Sequence, residues 1–259
     1  MLFPPQTKEI QLDERWSFVC KKEKHCDEND QLKQVQGDNW DHTALDPESR
    51  LLLSLVTGKR TKENCKKLVE DVKNRTSGRI DILITSDDYA IYESVIEEVY
   101  SSTVSQVNSP EGVSELKTKI VMPDELGYVV VSKRREKGSV VEVIKKIVFG
   151  TMEMVEKLLL RSKVSMKFNT SFVERNNGTE RGQNSRKRRK SYCFSKNWEI
   201  HNAVSYFIGF SYNFCWSVRT LRLKEIDGRW KMRTPAMAAG LTDHIWTVEE
   251  WVTYPAKGG

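Results

Sequence analysis

Cysteine is scarce in this chain. The five residues, Cys20, Cys26, Cys65, Cys193 and Cys215, are scattered and odd in number. Such a set does not make a disulfide scaffold and points to a reducing cytoplasm. Cys20, His25 and Cys26 lie close together, but no second pair stands at zinc-ribbon spacing, which argues against a zinc module. No apolar run approaches the roughly 18 residues of a membrane span. The opening Met-Leu-Phe-Pro-Pro-Gln has neither the basic nor the apolar part of a secretory signal. Internal repeats, coiled-coil heptads, a phosphate-cradling glycine loop and a Ser/His/Asp arrangement are also absent. What remains is a polar, globular chain of 259 residues, 38% hydrophobic and 30% charged, long enough for one large core.

Charge is unevenly spread. Residues 161–233 hold 17 Lys/Arg against 5 Asp/Glu, a local +12 in a chain whose total is +6. A basic C-terminal half facing an acidic remainder suggests a polyanionic partner, with a solvated basic surface as the plainer alternative.

Residues 11–20, 40–45 and 51–56 read as three strands joined by short links, the pattern of an antiparallel meander. A helix follows, capped by Thr61, with Cys65, Leu68, Val69 and Val72 as its apolar stripe and Gly78 at its exit. Ile80 to Thr85 has the pattern of a short buried strand, and Tyr89 to Tyr100 that of a second helix. Residues 101–125, with Pro110, Gly112 and Pro123, read as a loop-rich insertion. Tyr128 to Ser132 and Val140 to Phe149 are expected to pair across the turn 135–138. Helices are expected at 152–160, from Thr170 to Arg181, and at 198–214, the last with Ile200, Val204, Phe207 and Phe214 facing the core. Thr234-Pro235 with Gly240, and Thr247 with Glu250, mark two further short helices.

This order places acids at informative points. Asp13 lies in the first strand, Asp87 ends the fourth, and Glu174 lies on a later helix. In a mixed sheet whose first and fourth strands are neighbours, the two aspartates approach each other. A Glu from a helix crossing that edge completes the group. Three clustered carboxylates repel, so such a site calls for divalent cations. Mg²⁺ prefers oxygen ligands, and two ions can activate an attacking oxygen and stabilise a leaving one. Each acid has a neighbour that competes for the role. Strand alternation turns Glu14 to the face opposite Asp13, and Asp13 has Arg15 as a plain pairing partner. Asp88 can cap the following helix, and Glu180 lies nearly two turns beyond Glu174.

The segment 12–19, Leu-Asp-Glu-Arg-Trp-Ser-Phe-Val, resembles the first-aspartate strand of the DDE transposases of bacterial insertion sequences. Residues 85–92, Thr-Ser-Asp-Asp-Tyr-Ala-Ile-Tyr, resemble the second-aspartate segment, and 169–177, with its Glu-Arg-x-Asn core, the glutamate helix. Basic residues and then Phe194-Ser195-Lys196 follow, as in that family. Residues 212–214, 219–222 and 233–240 resemble the end of the related integrase core, so the likeness runs from about Gln11 to about Trp251.

The resemblance implies an α/β, ribonuclease-H-like mixed sheet, a three-strand meander plus parallel strands, flanked by helices. It divides the chain into a catalytic domain over 1–215, with an insertion at 101–150, and a helical tail over 216–259. Asp13, Asp87 and Glu174 are then the catalytic carboxylates holding two Mg²⁺ or Mn²⁺ ions. The activity implied is cleavage of transposon ends followed by attack of the freed 3′-hydroxyl on target DNA. The implied partners are DNA and further copies of the chain, as a dimer or larger assembly, in the cytoplasm and without a membrane. Arg175, Asn176, Arg181 and the run Arg186, Lys187, Arg188, Arg189 and Lys190 are candidate DNA contacts, the run giving salt-sensitive backbone affinity.

Some features depart from the family. The Asp87-to-Glu174 spacing is long, and Trp216-Ser217-Val218 stands where relatives have Arg-Pro-His. Few residues precede the Asp13 strand, where relatives carry a DNA-reading module. A truncated copy, or end recognition by another polypeptide, is the resulting expectation.

Overall fold

The computed structural model describes residues 5–27, 35–107 and 116–255. Three strands open it: β1 (Glu9–Val19), β2 (Gly37–Leu45) and β3 (Leu52–Gly58), each antiparallel to the next. Helix α1 (Lys62–Arg75) begins where Thr61 Oγ1 accepts the Asn64 N–H, and it leads to β4 (Leu83–Ser86) and α2 (Ile91–Tyr100). Strand β4 lies beside β1 and parallel to it.

The stretch after α2 differs from the expected insertion. Its first part is a hairpin, β5 (Ser102–Val107) with β6 (Leu116–Val121), which stands as a separate two-stranded sheet. Val104 and Ile120 are exposed there, so these two apolar residues do not report a buried face. Then β7 (Gly127–Glu136) returns to the main sheet, parallel to β4, and β8 (Ser139–Phe149) pairs antiparallel with β7. The turn between them has Lys137 and Gly138 at φ of 49° and 86°, the left-handed pair of a tight hairpin. The sheet order is β3-β2-β1-β4-β7-β8, so residues 127–136 belong to the body of the fold.

Alternation divides the core between the two faces. Ile10, Leu12, Ile82, Ile84, Tyr128 and Val130 pack under α1 and α2 with Cys65, Leu68, Tyr92 and Ile96. The odd-numbered neighbours Leu83, Val129 and Val131 face the other way. They meet Val155 and Leu158 of α3 (Met152–Leu160), together with Phe168. Helices α4 (Ser171–Gln183) and α5 (Trp198–Cys215) cover the rest of that second face, α4 against β1 and α5 against β3.

Helix α5 buries a different face from the expected one. Ile200 and Phe207 are exposed, while His201, Ser205, Gly209 and Asn213 are buried. The helix lies so close to β3 that a Cβ on Gly209 would come within 3.0 Å of Leu55 and 3.1 Å of Leu52. Asn213 meets both the N–H and the carbonyl of Leu52 at 2.9 Å. That distance selects small and polar residues, and the larger apolar ones turn outward. Phe214 does reach the main core, as expected, and also packs against Trp246 and Trp251, with centroids 4.8 and 5.5 Å away.

The tail holds a short hairpin, β9 (Leu223–Lys224) with β10 (Trp230–Lys231), and the helices α6 (Pro235–Ala238) and α7 (Val248–Thr253). Both expected caps are present: Thr234 accepts the Met237 N–H, and Thr247 with Glu250 forms a capping box. Ala236 is buried in the main core, which fastens the tail to the sheet. Among the described residues no helix is long and apolar enough to cross a membrane.

Candidate active site

Strand β4 ends at Ser86, opposite Leu12 in the parallel register. The next residue of each segment is an aspartate, so Asp13 and Asp87 emerge side by side where the two strands part. Asp13 does not pair with Arg15. Its Oδ1 accepts the Glu14 N–H at 2.9 Å, and its Oδ2 accepts Asn177 Nδ2 at 2.7 Å. Burial pushes the Asp13 carboxyl up to about 7, and the charges of Asp87, Glu14 and Glu174 add to the effect. Asp87 rises to about 6, mainly through burial, then through Glu14 and Glu174, with Arg60 opposing. Asp87 Oδ1 is buried and has no hydrogen-bond partner.

Asp88 does not cap α2. It accepts a hydrogen bond from Ser132 Oγ at 2.8 Å, and Ala90 stands at the cap position without a side-chain bond. Glu14 faces away from Asp13, as alternation requires, and pairs with Arg60 at 2.7 Å. The Arg60 guanidinium in turn lies over Trp40 and Tyr89, 4.7 and 3.8 Å from the ring centres. Glu14 still raises both aspartates, so it acts as a fourth acid of the group.

Glu174 stands in the first turn of α4, half exposed. Its Oε1 accepts Thr170 Oγ1 at 2.5 Å and pairs with the Lys133 ammonium from β7. Its charge reaches both aspartates. Among the described residues no three His, Cys, Asp or Glu side chains converge closely enough to ligate one ion. The structure therefore brings Asp13 and Asp87 together and holds Glu174 at their margin, turned toward Lys133. The chemistry of the donor set, all carboxylate oxygen with one orphaned buried acceptor, suits a hard divalent cation.

Three successive residues on one face of β1 hold α4 in place. Gln11 Oε1 accepts the N–H groups of Phe172 and Val173 at 3.0 and 3.1 Å, supplying the helix start with an acceptor its own Thr170 does not give. Asp13 binds Asn177, and Arg15 pairs with Glu180 at 2.5 Å. Arg15 also pairs with Asp41 of β2 at 2.5 Å, and Lys187 closes the ring by contacting Asp41 and, at 3.2 Å, Glu180. Burial alone would raise the Asp41 carboxyl, but Lys187 and Arg15 hold it well below the usual carboxylate range. Glu180 is thus a structural anion, which leaves Glu174 as the acid of this helix nearest the pair.

The basic candidates separate by exposure. Lys187 is 3% exposed and spent on Asp41 and Glu180, which removes it from any DNA-facing set. Asn176 is buried, Arg181 and Arg186 are half-buried, and Arg175, Arg188, Arg189 and Lys190 are exposed. Gln11, Lys133 and Asn177 escaped sequence reasoning, and Glu14 entered it only as the alternative to Asp13. Their signals were slight: a Gln two residues before Asp13 in a buried strand, and an Asn one turn beyond Glu174.

His201 belongs to a separate buried chain. Asn39 Nδ2 lies 2.9 Å from its Nε2, and Ser195 Oγ lies 2.7 Å from its Nδ1. With the Asn39 amide donating, Nδ1 carries the proton and Ser195 accepts it, so the imidazole is not a base for that hydroxyl. Burial, with Lys187 adding to it, lowers the His201 pKa to about 4. Compared with protein-family models, curated proteins and solved structures, the chain gives no match.

Proposed function

We propose that this chain is a DDE-type transposase catalytic domain that cleaves and joins DNA strands with divalent cations, its carboxylates being Asp13, Asp87 and Glu174. The observation that carries the reading is the parallel register of β1 and β4, which delivers Asp13 and Asp87 together at one strand end under the helix of Glu174. A ribonuclease-H-like connectivity fits the order β3-β2-β1-β4-β7, with three antiparallel strands followed by two parallel ones. Bound Mg²⁺ or Mn²⁺ would supply activation of the attacking oxygen and stabilisation of the leaving one. Asn177 and the Glu14 N–H orient the Asp13 carboxylate, while Lys133 and Thr170 hold Glu174. Arg188, Arg189 and Lys190 offer sequence-independent phosphate contacts.

The test is Asp87→Asn, assayed with Mg²⁺ on an end-labelled duplex that reports cleavage and joining separately. Both activities are expected to vanish while the melting temperature is kept or raised, because Asn has the volume of the buried, partly protonated acid. Full activity in the variant overturns the assignment. Cleavage without joining in the wild type indicates a nuclease of the same fold. The contact of Lys133 with Glu174 favours a second reading, a DNA-binding remnant whose third acid is already neutralised. Salt-dependent binding without any metal-dependent cleavage would support it.

A further inference from the structure

Beyond Leu12 the β4 side of β1 has no strand neighbour among the described residues until Ser195 bridges Val19. Along this open edge lies a cleft of about 560 Å³, lined by Trp16, Ser17, Phe18 and Lys22 and by residues 186–192 with Phe194. Two features of its wall point to one kind of ligand.

The first is a set of ring faces. Trp16 and Phe18 have centroids 5.8 Å apart, and Phe194 lies 4.9 Å from Phe18. Tyr192 stands at the rim, 97% exposed. The second is charge of one sign. Lys22, Arg186, Arg188, Arg189 and Lys190 line the cleft and no Asp or Glu does. None of the five has an ion-pair partner among the described residues, and Lys187, the remaining cation of the wall, is already neutralised by Asp41 and Glu180. A ligand that satisfies both features is flat, aromatic and anionic. A nucleotide unit has these properties, the base meeting the rings and the phosphate the guanidinium groups. Bases inside a duplex have their faces covered by one another, so the unit must be unpaired.

We infer that this cleft binds an unpaired nucleotide of single-stranded DNA. Its place in a reaction rests on the function proposed above. Asp13 and Trp16 are three residues apart on an extended strand, about 10 Å, and project from opposite faces of it, so a strand held at the acids would reach the cleft by crossing the open edge of β1. Binding itself needs no cation and no catalysis.

The experiment measures fluorescence anisotropy of labelled oligonucleotides in EDTA with the full chain: a 12-nucleotide oligo-dT, a blunt duplex of equal length, and dTMP as competitor. The wild type is expected to bind the single strand at least tenfold more tightly than the duplex at equal salt. Tyr192→Ala, whose side chain touches almost nothing in the fold, and Trp16→Ala should each weaken single-strand binding about 5- to 150-fold and leave duplex binding unchanged. Arg189→Gln with Lys190→Gln should weaken both and flatten their salt dependence. Competition by dTMP at millimolar concentration supports a pocket for one unit. Equal affinity for duplex and single strand, or single-strand affinity untouched in both aromatic variants, overturns the inference. The same preparations assayed with Mg²⁺ separate the two proposals. Intact aromatic-dependent binding without cleavage removes the catalytic reading alone, and cleavage with binding indifferent to the rings removes the cleft alone.

Discussion

Replacing Arg15 by Met probes the buried ring of charges that ties β1, β2 and α4 together. Arg15 and Lys187 balance Asp41 and Glu180, and the side chains of Arg15, Asp41 and Lys187 are 0% exposed. Methionine fills similar space but leaves two buried carboxylates facing one ammonium. Breaking a buried pair from one side costs about 3–5 kcal/mol, because the remaining charge has neither water nor partner. With a urea slope of about 2–3 kcal/mol/M, the unfolding midpoint should fall by about 1–2.5 M at pH 7. The double variant Arg15→Met with Glu180→Gln restores one cation to one anion, and at least half of the loss should return. The pH dependence has a definite sign. The Asp41 carboxyl lies below its unfolded value of 3.8, so its stabilisation is complete above that pH and is lost only as pH falls further. A single variant costing less than about 1 kcal/mol, or a double variant whose cost equals the sum of the singles, would refute charge sharing in the ring.

His201 gives a second pH effect. The native imidazole titrates at about 4 and the unfolded one at 6.5, so its contribution to stability is constant above pH 6.5 and falls between 6.5 and 4 by up to about 3 kcal/mol; the difference between wild-type and His201→Gln denaturation curves should carry this slope. Gln11→Leu strands two helix-start N–H groups and should cost about 1–2 kcal/mol. If Gln11 also sets the position of Glu174, metal-dependent cleavage in that variant should fall more steeply than stability at a temperature where the protein is fully folded, and unchanged cleavage would count against that role.

The elements best legible in the sequence were those with a single buried face and a local stop signal. The stripe Cys65, Leu68, Val69 and Val72 and the cap Thr61 define α1 without outside help. The meander and the β7–β8 turn follow from alternation and from Gly138. Tyr128-Val129-Val130-Val131 is apolar because β7 is covered on both faces, and such a run does not say which sheet it joins. The α5 face misled for the opposite reason. Contact distance, set by β3, favoured Gly209 and Asn213 over the aromatic residues that a hydrophobic stripe selects. Lys187 sits in a run of five cations, and nothing local separates it from its neighbours, because Asp41 is 146 residues away in the chain.

The contacts of Gln11, Asp13 and Arg15 share one consequence. They occupy every second position of β1, and all three answer to α4. A slip of β1 by one residue against its neighbours would reverse the side on which all of them project. Deleting or inserting a residue in this strand therefore offers no graded outcome: the helix start, the acid pair and the charge ring come apart together or not at all. A chain that has paired β1 out of step loses all three of the anchors that β1 gives α4, so correct threading of the sheet is the checkpoint through which the placement of that helix passes.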